Sequence, residues 1–458
     1  MAAEEQNDKA KAKTMTVLGP FDVEDTLFGP VMMYEKIISN PASGQSMVTS
    51  SSDNTTSSRQ VPFTMENLSE IRSSPFQYLE NMLLNSENEA CREIRHLSDG
   101  VANDVKVVLL DMTTAKEGRD HKACQRISQQ LGIHLLIGTT CPTEHPDMDT
   151  TNTNTNTNST AMDGFQRNME HMERELKYGI GTRSEDDYKN LTSPDSKIVR
   201  CSFCGPMHIS EGFPVAEQNE LKAYAAVQGG SNAPLVLVAP SLTAVSGILD
   251  FVTNSGGIVS KTIVAHADLL LHRHAQQTDM TLALQILLEQ VLDRGAIVCF
   301  DSYSVSACAF FDFDQDFPTL ASVVDTASNL LSKKAKYAEQ IVLSAGIMMK
   351  LQLKRYGGVG YPVVLKELVP RLKKKEVITS EHIELMLNKN PRRLLQWWVP
   401  PPTPEVPKYY LTCSICKKKF EPIMGEYFSK YTFVYCGTKC LRKHRKVGFK
   451  PLEEAEKS

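Results

Sequence analysis

Four cysteines near the C-terminus have the sharpest spacing for chemistry. Cys413-x2-Cys416, nineteen further residues, then Cys436-x3-Cys440 sets four thiolates in two close pairs. Four thiolates complete a tetrahedral shell around one zinc ion, a closed structural site. The 28-residue span is too short to bury a core by itself, so metal binding has to drive its folding. Phe420, Tyr427, Phe428, Tyr431, Phe433 and Tyr435 suit short strands around the metal, Gly437 suits a turn, and Leu441 to Arg445 a short helix. His444 is a spare imidazole, since the cysteines already fill the tetrahedron.

A second set is scattered along the chain: His208, His266, Asp268 and Asp301. Imidazoles and carboxylates are the groups that hold metals or move protons near neutral pH. Cys201-x2-Cys204 with His208 offers three zinc ligands, but cysteine also packs as a small apolar residue in buried strands, and that reading is preferred.

These residues need elements to carry them. Eight short, nearly continuous apolar runs lie at 30–38, 105–112, 133–140, 197–204, 234–240, 261–268, 296–302 and 340–347. Such runs suit strands buried on both faces. Helix-length amphipathic stretches at 119–131, 168–178, 217–228, 278–293 and 317–335 separate them. Eight strands alternating with helices over more than 300 residues predict a parallel (β/α)8 barrel. Functional groups then belong at the strand ends: Tyr34 and Lys36, Asp111 and Thr113, Cys204 to His208, Val238 and Ala239, His266 and Asp268, Asp301, and Ala345 with Gly346.

The chain has 458 residues, 41% of them hydrophobic and 23% charged, an ordinary globular composition. Its charge is uneven: residues 408–458 hold 12 Lys and Arg against 5 Asp and Glu, a balance of +7, while the rest holds 38 against 49, or −11. Between the two regions WWVPPPTPEVP places five prolines in eleven residues, a semi-rigid spacer. The expected organisation is a disordered N-terminus at 1–15, a barrel at 16–398 with disordered insertions near 39–63 and 143–163, a linker at 399–407, a zinc finger at 408–450 and a tail at 451–458. No apolar run is long enough to span a bilayer and the polar start is not a signal peptide, so cytosol or nucleus is expected.

The stretches VLGPFDVEDTLFGPVMMYEKI, MTTAKEGRDHKACQRISQQLGIHLLIGTT, SKTIVAHAD and KRYGGVGYPVVLKELVPRLKKKEVITSEHIELMLNKNPRRLL resemble a phosphotriesterase-related protein of the amidohydrolase superfamily, over most of residues 16–396. The tail is similar to a treble-clef zinc finger. The first resemblance implies a barrel with two divalent metals, usually zinc, that generate a hydroxide for ester or lactone hydrolysis. It also implies ligand positions. The His-x-His of strand one falls on Tyr34 and Lys36, the bridging Lys or Glu of strand four near Pro206 or His208, the strand-five His on Val238 or Ala239, and the strand-eight Asp on Gly346. The strand-six His is retained as His266.

A phenol and an ammonium are poor zinc ligands, so the ancestral binuclear site is expected to be absent. The favoured functional reading is a non-catalytic binding or scaffold barrel, a pseudoenzyme, with structural zinc in a finger that binds a protein partner. The alternatives are a metal-dependent hydrolase of ester bonds remodelled around His266, and a nucleic-acid-associated protein. The latter would use the basic finger residues Lys417-Lys418-Lys419 and Arg442 to Lys446. Lys36 is expected to pair with Asp301 or Asp268, and His266 to hydrogen-bond Asp268.

Overall fold

The apolar runs are buried on both faces because one face of each strand packs into the barrel interior and the other against the surrounding core. In the computed structural model these strands are β1 (Phe28–Glu35), β2 (Lys106–Asp111), β3 (His134–Thr139), β4 (Phe203–His208), β5 (Leu235–Val238), β6 (Thr262–Val264), β7 (Ile297–Phe300) and β8 (Ile341–Leu343). Their order in the sheet is their order in the chain. The residues described are 12–24, 28–41, 61–99, 101, 105–142, 157–182, 198–310, 317–399, 410–420 and 427–449.

Helices connect successive strands: α1 (Glu87–Ser98), α2 (His121–Leu131), α3 (Thr157–Lys177), α4 (Val215–Ser231), α5 (Ala244–Asn254), α6 (Ala267–Gln277), α7 (Met280–Leu287) and α8 (Leu320–Lys333). Local signals set their ends. Asp120 accepts from the first-turn N–H groups of Lys122 and Ala123, and Gly132, at φ +67°, stops α2 in the left-handed conformation that glycine adopts freely. Side chains alternate along the strands. Val31, Val108, Leu110, Leu136, Phe203 and Val342 fill the barrel interior. Met32, Leu109, Leu135, Leu237 and Val298 pack outward in the core that includes the helices.

The barrel closes where β1 meets the end of β8, and a buried carboxyl makes the join. Glu35 accepts hydrogen bonds from Ser344 Oγ at 2.8 Å, Ala345 N at 2.7 Å and Ile347 N at 2.8 Å. Tyr34 N donates to Ser344 Oγ and Lys36 N to the Ile347 carbonyl, continuing the seam. Burial pushes the Glu35 carboxyl up to about 8, against the pull of these donors. The three donors would otherwise be unpaired inside the barrel, at about 1–3 kcal/mol each.

The fourth strand lies at Phe203–His208, not at 197–204, which places His208 on the strand end itself. Order at the N-terminus begins before residue 16: Lys13 bridges Trp398, and Thr14–Thr16 pairs with Gly19–Phe21. Helix α3 starts at Thr157, inside the insertion expected at 143–163. The rest of that insertion, residues 42–60 of the other, residues 1–11, the proline-rich 400–407 and the 451–458 tail lie outside the described residues.

By internal contacts the chain divides into Met1–Val399 and Pro400–Ser458. In the second unit Leu411–Thr412 pairs with Lys419–Phe420, Phe428–Lys430 pairs with Phe433–Tyr435, and a helix, α9, follows at Thr438–Lys446. No helix among the described residues is long and apolar enough to cross a membrane.

Candidate functional site

The strand ends bring a polar cluster to the barrel mouth. His266 follows β6 and caps α6 with φ +55°, a left-handed conformation costly for a residue with a Cβ. Asp301 at the end of β7 holds it there. Its Oδ1 lies 2.7 Å from His266 Nδ1 and its Oδ2 accepts from His266 N at 3.3 Å. With Asp301 as acceptor, Nδ1 carries the proton and Nε2 keeps its lone pair. Burial lowers the His266 basicity, but the charge and hydrogen bond of Asp301 outweigh it, and the net shift is upward from 6.5.

Asp268 has a different task from the one expected. It accepts from the backbone N–H of Ser302 at 2.9 Å and of Asp301 at 3.3 Å, so it fixes the loop after β7 and is not the partner of His266. Burial, and then the Asp301 charge, push its carboxyl up to about 7. Ser302 Oγ donates to Asp301 Oδ1 at 3.0 Å and lies 3.2 Å from His266 Nδ1. The Tyr34 ring meets His266 edge-on, with centroids 4.6 Å apart.

Lys36 is also paired differently from expectation. Its Nζ lies 2.5 Å from Glu117 Oε1, not on Asp301 or Asp268. Glu117 is itself fixed, its Oε2 accepting from Thr114 N and Oγ1 in a capping box after β2. Burial opposes ionisation of Glu117, but Lys36 wins and holds the carboxyl below its usual value. Tyr361, from the Arg-Tyr-Gly-Gly-x-Gly-Tyr block, donates its hydroxyl to the Lys36 carbonyl at 2.8 Å. His208 reaches solvent at the lip yet is hemmed in by protein, which pushes its imidazole down to about 4; Glu117 opposes this, and Lys36 and His266 reinforce it.

At the other strand ends Ala239 is buried and apolar. Gly346, at φ +65°, packs so closely that an added Cβ would sit 1.7 Å from the Asp301 carbonyl oxygen. Cys201 and Cys204 are buried, with their thiols raised by burial. Cys201 Sγ faces Glu175 at 3.5 Å and Arg119 at 3.7 Å, and no metal-ligand cluster with His208 forms among the described residues.

Glu35 and Glu117 were not singled out from the sequence. Signals existed for both: Glu35 is the acid inside the apolar run PVMMYEKII, and Thr114-x-x-Glu117 has capping-box spacing.

In the finger the four cysteine sulfurs lie within 4.8 Å of one another, a geometry that suits one tetrahedral zinc. Burial opposes ionisation of Cys413, but the backbone N–H groups of Cys416, Cys436 and Ile415 prevail and bring it to about 6. His444 is core, not ligand: its Nδ1 lies 2.9 Å from Tyr435 Oη and its ring meets Phe433 edge-on at 4.7 Å. Lys417–Lys419, Arg442, Lys443, Arg445 and Lys446 face solvent.

A parallel eight-stranded barrel with a polar mouth, followed by a four-cysteine finger, defines the class. The chain belongs to the phosphotriesterase family, which matches residues 13–395, and residues 408–452 match the Vms1-associating treble clef domain. Among its relatives, the N-acetyltaurine hydrolase of Salmo salar is 23% identical over 84% of this chain and 97% of its own length. The N-acetyltaurine hydrolase of Danio rerio is 22% identical over 84% and 98%, and a phosphotriesterase-related protein of Nematostella vectensis is 23% identical over 72% and 84%. Among solved structures, a resiniferatoxin-binding protein from Rhodobacter sphaeroides superposes with a TM-score of 0.65 at 22% identity, covering 84% of this chain and 95% of that one.

These relatives correct one expectation. The barrel was expected to be non-catalytic, but proteins matched along most of its length are named as hydrolases, which points to enzymatic activity.

Proposed function

We propose that the barrel is a hydrolase of an acyl bond, amide or ester, with its acid–base centre at His266 and Asp301. The observation that carries this reading is the 2.7 Å contact between His266 Nδ1 and Asp301 Oδ1 at adjacent strand ends, which leaves Nε2 free to accept a proton. The names of the relatives support an amide such as N-acetyltaurine as the first substrate to try.

The two-metal centre implied by the family does not fit the residues at the mouth. Lys36 puts an ammonium, already paired with Glu117, at a ligand position, and Ala239 offers no donor atom. At 346 the backbone leaves no room for the aspartate the family would need. The steps are therefore assigned to side chains. His266 Nε2 takes a proton from water as the oxygen attacks the carbonyl carbon. A tetrahedral oxyanion forms beside the Lys36 ammonium. The C–N or C–O bond then breaks, and the leaving atom takes the proton back from His266. Asp301 keeps the imidazole oriented throughout.

The pH dependence tests this. The base works only when neutral, so kcat/KM falls as pH drops through the His266 pKa, which is raised from 6.5. Asp301→Asn removes the charge that raises it, so the acid limb moves to lower pH while kcat falls. An acid limb that stays put in Asp301→Asn, or hydrolysis that tracks a second metal lost in His266→Ala, would overturn the assignment.

We further infer that the finger is a protein-docking module for an acidic surface. It is supported by its exposed lysines and arginines and by its match to a Vms1-associating domain. Tight polynucleotide binding at low salt, abolished by neutralising Arg442, Lys443, Arg445 and Lys446, would assign it to nucleic acid instead.

A further inference from the structure

Beside the mouth, and not over the His266–Asp301 pair, lies a cleft of about 360 Å³ between the segments that follow β4 and β5. That volume is in the range of small-molecule sites. Its position is set by the strand ends: Ile209 and Ser210 come directly after His208, and Pro240 comes directly after Ala239. One wall is the loop into α4. There Phe213 is held at φ +41°, with its N–H on the Ser210 carbonyl and its own carbonyl accepting from Gln218 Nε2. Ser210 is pinned in turn by Glu217, through N at 2.8 Å and Oγ at 2.7 Å. A left-handed phenylalanine is strained, and such strain persists at ligand clamps. Its ring meets Phe251 edge-on with centroids 5.3 Å apart.

The other wall is α5, which presents Ala244, Gly247, Ile248 and Phe251, one apolar face at helical spacing. Gly247 stands out. Glycine weakens a helix interior, and here no close approach demands it, since an added Cβ would meet nothing within 4 Å. Its visible effect is to leave the cleft open.

We propose that this cleft is the acyl subsite and receives an apolar acyl chain of medium length from the substrate hydrolysed at His266. The inference rests on the hydrolase reading for its occupant. The walls are apolar, and their continuity with the strand-four and strand-five ends places a chain entering the cleft next to a carbonyl at the mouth. The lining carries no charge to fix a polar group.

The test measures kcat/KM of the full chain for N-acyl substrates with acetyl, butanoyl, hexanoyl and octanoyl groups, and the binding of the matching free fatty acids by calorimetry. Each methylene that enters should raise kcat/KM about fourfold. Gly247→Leu, whose side chain would enter the cleft, should cut the octanoyl-to-acetyl ratio by about tenfold or more. Ala244→Leu, one turn earlier on the same face, should act the same way and covers the case in which the first variant fails to fold. A flat chain-length series in the wild type, or an unchanged ratio in both variants, overturns the proposal. If no substrate is turned over, the hydrolase reading fails separately and fatty-acid binding decides. Affinity that rises with chain length and is lost in Gly247→Leu upholds the subsite, and affinity independent of length removes it.

Discussion

Chelating the zinc that Cys413, Cys416, Cys436 and Cys440 would hold should unfold the finger, and Cys413→Ser with Cys416→Ser should do the same without a chelator. The unit has little else to hold it. Among its described residues the buried side chains are Cys413, Tyr435 and His444, and the strands are two or three residues long. Structural zinc in such domains contributes on the order of 10–16 kcal/mol, more than the whole stability of a small domain. Metal analysis should give about one zinc per chain and none in the double variant. Limited proteolysis should then cut within the finger, while the barrel core, built from residues before 400, keeps its circular dichroism. A finger that resists protease with the zinc removed would refute the dependence.

Replacing His266 should cost most of the turnover. A positioned general base contributes about 10²–10⁴-fold, so His266→Gln should lower kcat by that much with little change in KM. The substitution keeps a polar side chain near Asp301, and thermal melting checks that the fold survives. Asp301→Asn tests orientation: the amide can no longer accept as a carboxylate does, the wrong tautomer is favoured, and losses of up to about 10⁴-fold follow in comparable dyads. A His266→Gln enzyme with wild-type turnover would move the chemistry elsewhere, with His208 the first group to examine.

The architecture was legible because its signal is local. Eight apolar runs bounded by helical patterns need no knowledge of distant residues, and each overlaps an observed strand. The fourth boundary was misplaced because Gly205 and Pro206 interrupt the apolar pattern inside β4. The four-cysteine cluster was equally plain, since two close pairs within 28 residues leave few arrangements. The mouth was only half legible. His208, His266, Asp268 and Asp301 could be nominated, but their pairing could not. Lys36 and Glu117 are 81 positions apart, and nothing in the sequence ranks Glu117 above Asp301 as a partner. The non-catalytic expectation rested on residue types at aligned positions, whereas the contact between His266 and Asp301 appears only in three dimensions and the relatives named as hydrolases point to activity.

The Glu35 seam also has a consequence for how the chain is made. Ser344 Oγ and Glu35 are separated by 309 positions, so the bond that closes the barrel joins nearly the first strand to nearly the last. During synthesis β1 must wait, with one edge unpaired, until the end of β8 has left the ribosome. Contacts at that separation form late, and a waiting strand edge is where a nascent chain meets a neighbour. The strand that carries Tyr34 and Glu35 is thus the one whose second edge is covered last as the chain emerges.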